Sequence, residues 1–188
     1  MHPADHTLPG ATGLGPVVFS RDQIRNRVAE LGAAISKDYT GGTPVVIGVL
    51  TGTVMFVADL LRAMTIPVEV DFMSISRLGP PGETLGAVRV LKDLEIPIGG
   101  RDAILVEALV DTGFTLSHML SALQARRPTS LRVCTLLSRP QRRLIEVPLD
   151  HVGFEAPDEF LVGYGLQYRG QFRQLPHIAS YSPDDVLP

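Results

Sequence analysis

The stretch Ile104-Leu105-Val106-Glu107-Ala108-Leu109-Val110-Asp111-Thr112-Gly113-Phe114-Thr115 decides the fold. It opens as an apolar run too short for a helix, bounded by Gly99-Gly100 before it, which is how a buried parallel strand reads. Glu107 stands where that strand is expected to end. Asp111 and Thr112-Gly113-Phe114-Thr115 follow, and Leu116, Met119, Leu120 and Leu123 then recur at the spacing of one helix face. The order is strand, acidic loop, Thr/Gly turn, helix. A helix N-terminus carries unpaired N–H groups and the positive end of the helix dipole, so it suits a phosphate. Gly113 lets the backbone approach closely, and the Thr112 and Thr115 hydroxyls add donors. Open α/β sheets bind ligands beyond the carboxyl ends of their strands, where this turn falls. An ordinary strand–helix connection capped by Thr115 fits the same spacing.

Composition bounds the rest. The chain has 188 residues, enough for one domain with a real core, and its 45% apolar and 20% charged fractions are those of a globular protein. A net charge of −3 without a basic block argues against a nucleic-acid surface. Cys134 is the one cysteine, so no intrachain disulfide forms, and its strand-like neighbours make it an inert core residue. No apolar run is long enough to span a membrane, and the first residues lack a signal-peptide core. The expectation is a cytoplasmic protein.

Outward from the central stretch, residues 1–17 read as a flexible tail, 18–181 as a single domain and 182–188 as a C-terminal tail. Ser20 and Gln23 have capping-box spacing ahead of a helical stripe of Ile24, Val28, Leu31 and Ile35. Val45–Leu50 reads as a buried strand, followed by Leu50-Thr51-Gly52-Thr53 and a helix from Met55. This second strand–turn–helix can offer N–H groups to an anion or serve as a simple turn. Val68–Met73 alternates as a strand and runs into Ser74–Glu83, whose prolines and glycines predict a long, mobile loop containing Ser76, Arg77 and Leu78. Val88–Leu94 and Leu131–Leu137 read as further strands, and Ser138-Arg139-Pro140 stands at the carboxyl end of the latter. Arg142 and Arg143 read as solvated. Phe160 reads as a core aromatic.

The central stretch resembles the ribose-phosphate motif of type I phosphoribosyltransferases: apolar residues, two acids, two apolar residues, then Asp-Thr/Ser-Gly-x-Thr. Leu91-Lys92-Asp93-Leu94-Glu95-Ile96-Pro97-Ile98-Gly99-Gly100-Arg101 is similar to a bacterial motif of the hypoxanthine–guanine branch. So is Val152-Gly153-Phe154-Glu155-Ala156-Pro157-Asp158-Glu159-Phe160-Leu161-Val162-Gly163-Tyr164-Gly165. The resemblance covers roughly residues 20 to 180, with motifs in family order. It implies an α/β fold: a twisted parallel sheet flanked by helices, with a small hood mainly from residues 151–181 and help from the N-terminal helix. It implies transfer of the phosphoribosyl group of 5-phosphoribosyl-1-pyrophosphate (PRPP) to a 6-oxopurine or similar base, with Mg²⁺, in a homodimer or homotetramer.

Carried over, Asp111 sits near purine N7, Glu107 holds ribose hydroxyls and metal, and Asp111, Thr112, Gly113, Phe114 and Thr115 cradle the 5′-phosphate. Leu50, Thr51, Gly52 and Arg173 fall on the pyrophosphate side. Arg139, Phe160 and Leu161 meet the base, and Ser76, Arg77 and Leu78 belong to the flexible catalytic loop. The chain departs from the family pattern at Ala108 and Gln167, where acids are usual, at Thr51 and Arg139, where Lys is usual, and at Arg77-Leu78. These departures keep two alternatives beside the enzyme: a PRPP- or nucleotide-binding regulatory paralogue, and a structural partner of an active transferase.

Overall fold

A computed structural model describes residues 13–78 and 87–182. Its centre is a six-stranded sheet in which β2 (Val45–Leu50), β3 (Glu69–Leu78), β5 (Asp102–Val110), β6 (Ser130–Ser138) and β7 (His151–Glu155) run parallel. The expected parallel sheet also carries one antiparallel edge strand, β4 (Ala87–Lys92), paired with β3. Helices α1 (Arg21–Asp38), α2 (Val54–Ala63) and α3 (Phe114–Gln124) flank it.

The strands are buried on both faces because each alternates its side chains between two cores. Val46, Ile104, Val106, Cys134 and Leu136 meet Ile24, Val28, Leu31 and Ile35 of α1 and Phe56 and Leu60 of α2. Val45, Ile47, Ala103, Leu105 and Val133 meet Leu116, Met119 and Leu123 of α3. The capping box of α1 forms as its spacing predicts: Gln23 N donates to Ser20 Oγ at 3.3 Å and Ser20 N to Gln23 Oε1 at 2.8 Å. At the far edge of the sheet, Arg27 of α1 donates to the Gly153 and Val152 carbonyls of β7 at 2.8 and 2.7 Å. That satisfies strand groups that would otherwise invite a further strand. Cys134 is fully buried, and burial pushes its thiol up to about 12, so it is inert core as expected.

Four boundaries differ from the sequence reading, each through a long-range partner. Residues 14–17, assigned to the tail, lie in β1 (Leu14–Phe19), which pairs with β9 (Ile178–Tyr181) across nearly the whole chain. With β8 (Leu161–Val162) these form a separate three-stranded antiparallel sheet, the hood. The N-terminal contribution to the hood is thus strand β1, and α1 packs instead on α2 and β7. His151–Glu155, expected in the hood, is β7 of the main sheet. The central strand does not end at Glu107 but continues to Val110, because Thr135, Leu137 and Ser138 of β6 extend the ladder. Ser76, Arg77 and Leu78, expected in a loop, are the end of β3, held by Arg89, Val88 and Ala87 of β4. Residues 79–83 of the expected loop, most of residues 1–17, and the tail from residue 183 lie outside the described residues.

The Leu91–Arg101 segment is anchored by Asp71 of β3. Its carboxylate accepts from Glu95 N at 2.6 Å, Ile96 N at 2.8 Å and Phe72 N at 2.7 Å, with Lys92 Nζ at 3.4 Å. Burial alone would raise the Asp71 pKa, but these backbone and lysine bonds outweigh it and hold the carboxyl below its ordinary value.

Candidate active site

The carboxyl ends of β2 and β5 and the start of α3 enclose a cleft of about 290 Å³. Leu50, Gly52, Glu107, Asp111, Thr112, Gly113 and Thr115, all singled out in the sequence, line it together with Val49, Ile75 and Leu116. This is the ligand edge of an open α/β sheet.

The turn into α3 is shaped by Gly113. Its φ of +90° is left-handed, and a Cβ there would stand 2.3 Å from the Ile145 carbonyl oxygen, so only glycine fits. Leu144 N and Ile145 N donate to the Thr112 carbonyl at 2.9 and 3.0 Å, bracing the turn from behind. No side-chain hydrogen bond caps α3 at Gly113 among the described residues. Asp111 Oδ1 and Thr112 Oγ1 are buried with no hydrogen-bond partner among the described residues. Native structures leave few buried polar atoms unpaired, so these two adjacent ones at the cleft make it the candidate ligand site.

The other oxygen of Asp111 faces two guanidiniums. Arg139 Nη1 and Arg142 Nη1 each stand 3.8 Å from Asp111 Oδ2. Arg139 is buried, and its Nε donates to the Pro157 carbonyl at 3.0 Å while Nη2 donates to the Glu159 carbonyl. Burial pushes the Arg139 pKa below the usual arginine value, with Asp111 opposing; the side chain stays charged. Arg142 also pairs through Nε with Asp158 Oδ1. Arg143 Nη2 donates to Ser138 Oγ at 2.9 Å, and the Arg143 side chain passes behind Gly113.

Arg142 is exposed as its sequence predicts, yet it is paired with Asp158, whereas Arg143 is half-buried against the turn rather than solvated. Pro140 was the available signal: a proline directly after a strand starts a turn, here the 3₁₀ turn Pro140–Arg142, which folds the following cations back over the same sheet edge.

On the other side of the cleft, a Cβ on Gly52 would lie 3.9 Å from Arg173 Nη1, 3.9 Å from the Gly165 carbonyl oxygen and 4.0 Å from Ala108 Cβ. Arg173 is thus brought to Gly52, and its Nη1 donates to the Gly165 carbonyl at 2.5 Å. Ala108 is buried there. The Leu50–Thr51 peptide is cis, and Thr51 is exposed rather than cleft-lining.

The hood residues stand further off. Phe160 is 46% exposed, at the edge of a ring cluster with Tyr168 and Tyr181. Its backbone carbonyl accepts from Tyr181 N at 2.8 Å, and the carbonyl of its neighbour Glu159 is held by Arg139. So Phe160 is an available aromatic face rather than the core residue its local pattern predicts. The Leu161 side chain is core, and its backbone pairs with Ser180. Phe114 is half-buried at the first turn of α3, outside the cleft lining. Gln167 Oε1 accepts from Gly170 N and is spent on its own turn. Among the described residues no group of three or more His, Cys, Asp or Glu side chains could hold a metal ion.

A family model for the phosphoribosyl transferase domain matches residues 20–169. The chain belongs to the phosphoribosyltransferase family. Among the relatives of this phosphoribosyltransferase, the hypoxanthine phosphoribosyltransferase of Salmonella typhimurium is 44% identical over 164 residues, covering 86% of this chain and 92% of that one. The hypoxanthine-guanine phosphoribosyltransferase of Mycobacterium avium is 44% identical over 173 residues, covering 89% and 85%. Among solved structures, a Bacillus anthracis hypoxanthine-guanine phosphoribosyltransferase with a HEPES molecule in its active site superposes with a TM-score of 0.87 at 40% identity, covering 90% of this chain and 99% of that one. A Staphylococcus aureus hypoxanthine phosphoribosyltransferase gives 0.89 at 38% identity, covering 94% and 96%. The mixed α/β sheet and hood are therefore those of the hypoxanthine–guanine branch.

No helix among the described residues is long and apolar enough to cross a membrane.

Proposed function

We propose that this chain is a purine phosphoribosyltransferase, transferring the 5-phosphoribosyl group of PRPP to a 6-oxopurine and releasing pyrophosphate. The observation that carries this reading is the pair of buried, unpartnered atoms Asp111 Oδ1 and Thr112 Oγ1, at an uncapped helix start in a chain 44% identical to hypoxanthine phosphoribosyltransferases. A regulatory or purely structural role is not favoured, since relatives 44% identical over most of the chain are hypoxanthine and hypoxanthine-guanine phosphoribosyltransferases.

In this proposal the α3 N-terminus with Thr112, Gly113, Phe114 and Thr115 takes the 5′-phosphate through backbone N–H groups and hydroxyls. Glu107 accepts from ribose hydroxyls. The bond to pyrophosphate breaks as the purine nitrogen bonds to the anomeric carbon, and positive charge builds on the ribose. Carboxylates near the sugar suit that charge, and Arg173 beside Leu50, Thr51 and Gly52 suits the departing pyrophosphate. Asp111 receives the purine N7 proton or holds it in a hydrogen bond. Phe160 stacks on the base, Leu161 contacts its edge through backbone groups, and Arg139 donates to the 6-oxo oxygen. Ser76, Arg77 and Leu78 lead into the segment assigned as the catalytic loop. The sites of Ala108, Gln167, Thr51 and Arg139 make this a variant of the family's active site.

The family is generally Mg²⁺-dependent, and the donor set here fits a weakly held ion. Glu107 would hold the ion through its one carboxylate in the cleft, with the substrate's own oxygens supplying the other donors. When bound, it neutralises pyrophosphate charge. We further propose a homodimer or homotetramer in the cytoplasm.

The test is titration of PRPP into the protein with and without Mg²⁺, then pyrophosphate release across a panel of oxopurines and aminopurines. Turnover with hypoxanthine or guanine supports the proposal. PRPP binding without turnover of any base would leave a sensor, and absence of PRPP binding would leave a structural partner.

A further inference from the structure

The loop after β7 carries Asp158 two residues before Phe160, and two arginines from the far end of β6 grip it in different ways. Arg139 holds the loop's backbone through the Pro157 and Glu159 carbonyls, and its side chain is only 6% exposed. Two of its three nitrogens are consumed there and the third, Nη1, also stands 3.8 Å from Asp111 Oδ2, so it acts as a fixed, buried anchor while Arg142 is the adjustable one. Arg142 holds the loop's side chain: Nε pairs with Asp158 Oδ1, while Nη1 of the same guanidinium stands 3.8 Å from Asp111 Oδ2. The Arg142 side chain is 46% exposed and Asp158 56%, so water and salt screen this grip and it can adjust. The distance to Asp111 exceeds a hydrogen bond; the pull is electrostatic, across a gap that a water can bridge.

We infer that Arg142 is a positioning residue for base recognition, which couples the Phe160 loop to Asp111 through one guanidinium shared between Asp158 and Asp111. The inference rests on the proposed function, because the loop and Asp111 touch the same molecule only if a purine lies between them. Arg142 does not touch the base. It sets the spacing between the stacking ring and the carboxylate that meets the base edge. Only arginine serves both carboxylates, since its Nε and Nη1 lie on a rigid fork, whereas lysine presents a single ammonium. The 5′-phosphate turn is braced separately by Leu144 and Ile145, so PRPP binding should not depend on Arg142.

The experiment is steady-state pyrophosphate release by the full chain with hypoxanthine or guanine varied at saturating PRPP, and the reverse. In Arg142→Gln the KM for the base should rise about fivefold, the upper end for a half-exposed ion pair. The KM for PRPP should stay within about twofold and the melting temperature within about 2 °C. Raising salt should increase the wild-type base KM but not that of Arg142→Gln. Arg142→Lys should recover part of the loss. Asp158→Asn should reproduce Arg142→Gln, and the double variant should be no worse than either. An unchanged base KM in Arg142→Gln, an equal rise in both KM values, or additive effects of the two substitutions would overturn the inference while leaving the enzyme reading intact. A wild-type chain that releases no pyrophosphate with any base overturns the reading itself, and the inference with it.

Discussion

Two strand–turn–helix units meet at the same edge of the sheet, and they have been finished differently. In the unit from β2 to α2, the Thr53 hydroxyl donates to the Val49 carbonyl at 2.5 Å, and Gly52 packs so tightly on Gly165 that a Cβ on the latter would lie 2.1 Å from the Gly52 carbonyl oxygen. The fold itself pairs that turn's hydroxyl. In the unit from β5 to α3, Asp111 Oδ1 and Thr112 Oγ1 are enclosed without partners among the described residues. Similar local chemistry thus gives a paired hydroxyl in one turn and unpaired polar atoms in the other. What separates them is whether tertiary neighbours have already paired the polar groups.

The strongest way to break this contrast is Asp111→Asn. If Asp111 meets the reacting base, kcat should fall about 10³-fold with little change in melting temperature. A loss under tenfold, measured by pyrophosphate release, would remove Asp111 from the chemistry. Next comes a matched pair of glycines. Gly113→Ala meets a carbonyl oxygen at 2.3 Å from a left-handed backbone and should cost about 2–4 kcal/mol in denaturant unfolding, whereas Gly52→Ala meets nothing within 3.8 Å and should cost less than about 1 kcal/mol. Equal costs would mean that the two turns are equally constrained.

Asp71 supplies the reference for a carboxylate that the fold fully satisfies. Its pKa is held below the ordinary value, so its contribution to stability is present above the unfolded-state value of about 3.9 and is lost as pH falls through the folded one. Asp71→Asn should destabilise by about 2 kcal/mol at neutral pH and flatten the acid limb of the stability curve below about pH 4. An unaltered acid limb would assign that limb to other carboxylates. The smallest effects should come from the hydroxyls. Thr53→Val removes a made bond and should cost about 1 kcal/mol. Thr112→Val removes an unpaired group, so stability should hold or rise while PRPP affinity falls about tenfold, read by calorimetric titration. Reversal of those two outcomes would invert the assignment of the turns.

Much of this was legible in the chain. The runs Val45–Leu50 and Leu131–Leu137, the stripe of α1 and the Gly113 turn carry period, punctuation and caps that neighbouring residues impose on one another. The cleft residues Glu107, Asp111 and Thr112 follow, because a strand's carboxyl end and the next helix's start are adjacent in sequence as well as in space. Arg142 and Arg143 were not legible. Each has the local look of a surface cation, and only the return of Asp158 and the packing behind Gly113 give them partners.

The sequence by itself determined the helices, most strands of the main sheet, their order along the chain and the Gly113 turn, since these depend on contacts within a few residues. The tertiary structure alone decided that β1 joins β9 in the hood, that β3 reaches Leu78, that β7 belongs to the main sheet, and which turn has its hydroxyl paired. Those outcomes depend on hydrogen-bond partners remote along the chain, and a backbone or hydroxyl group carries no local mark of the partner that will satisfy it.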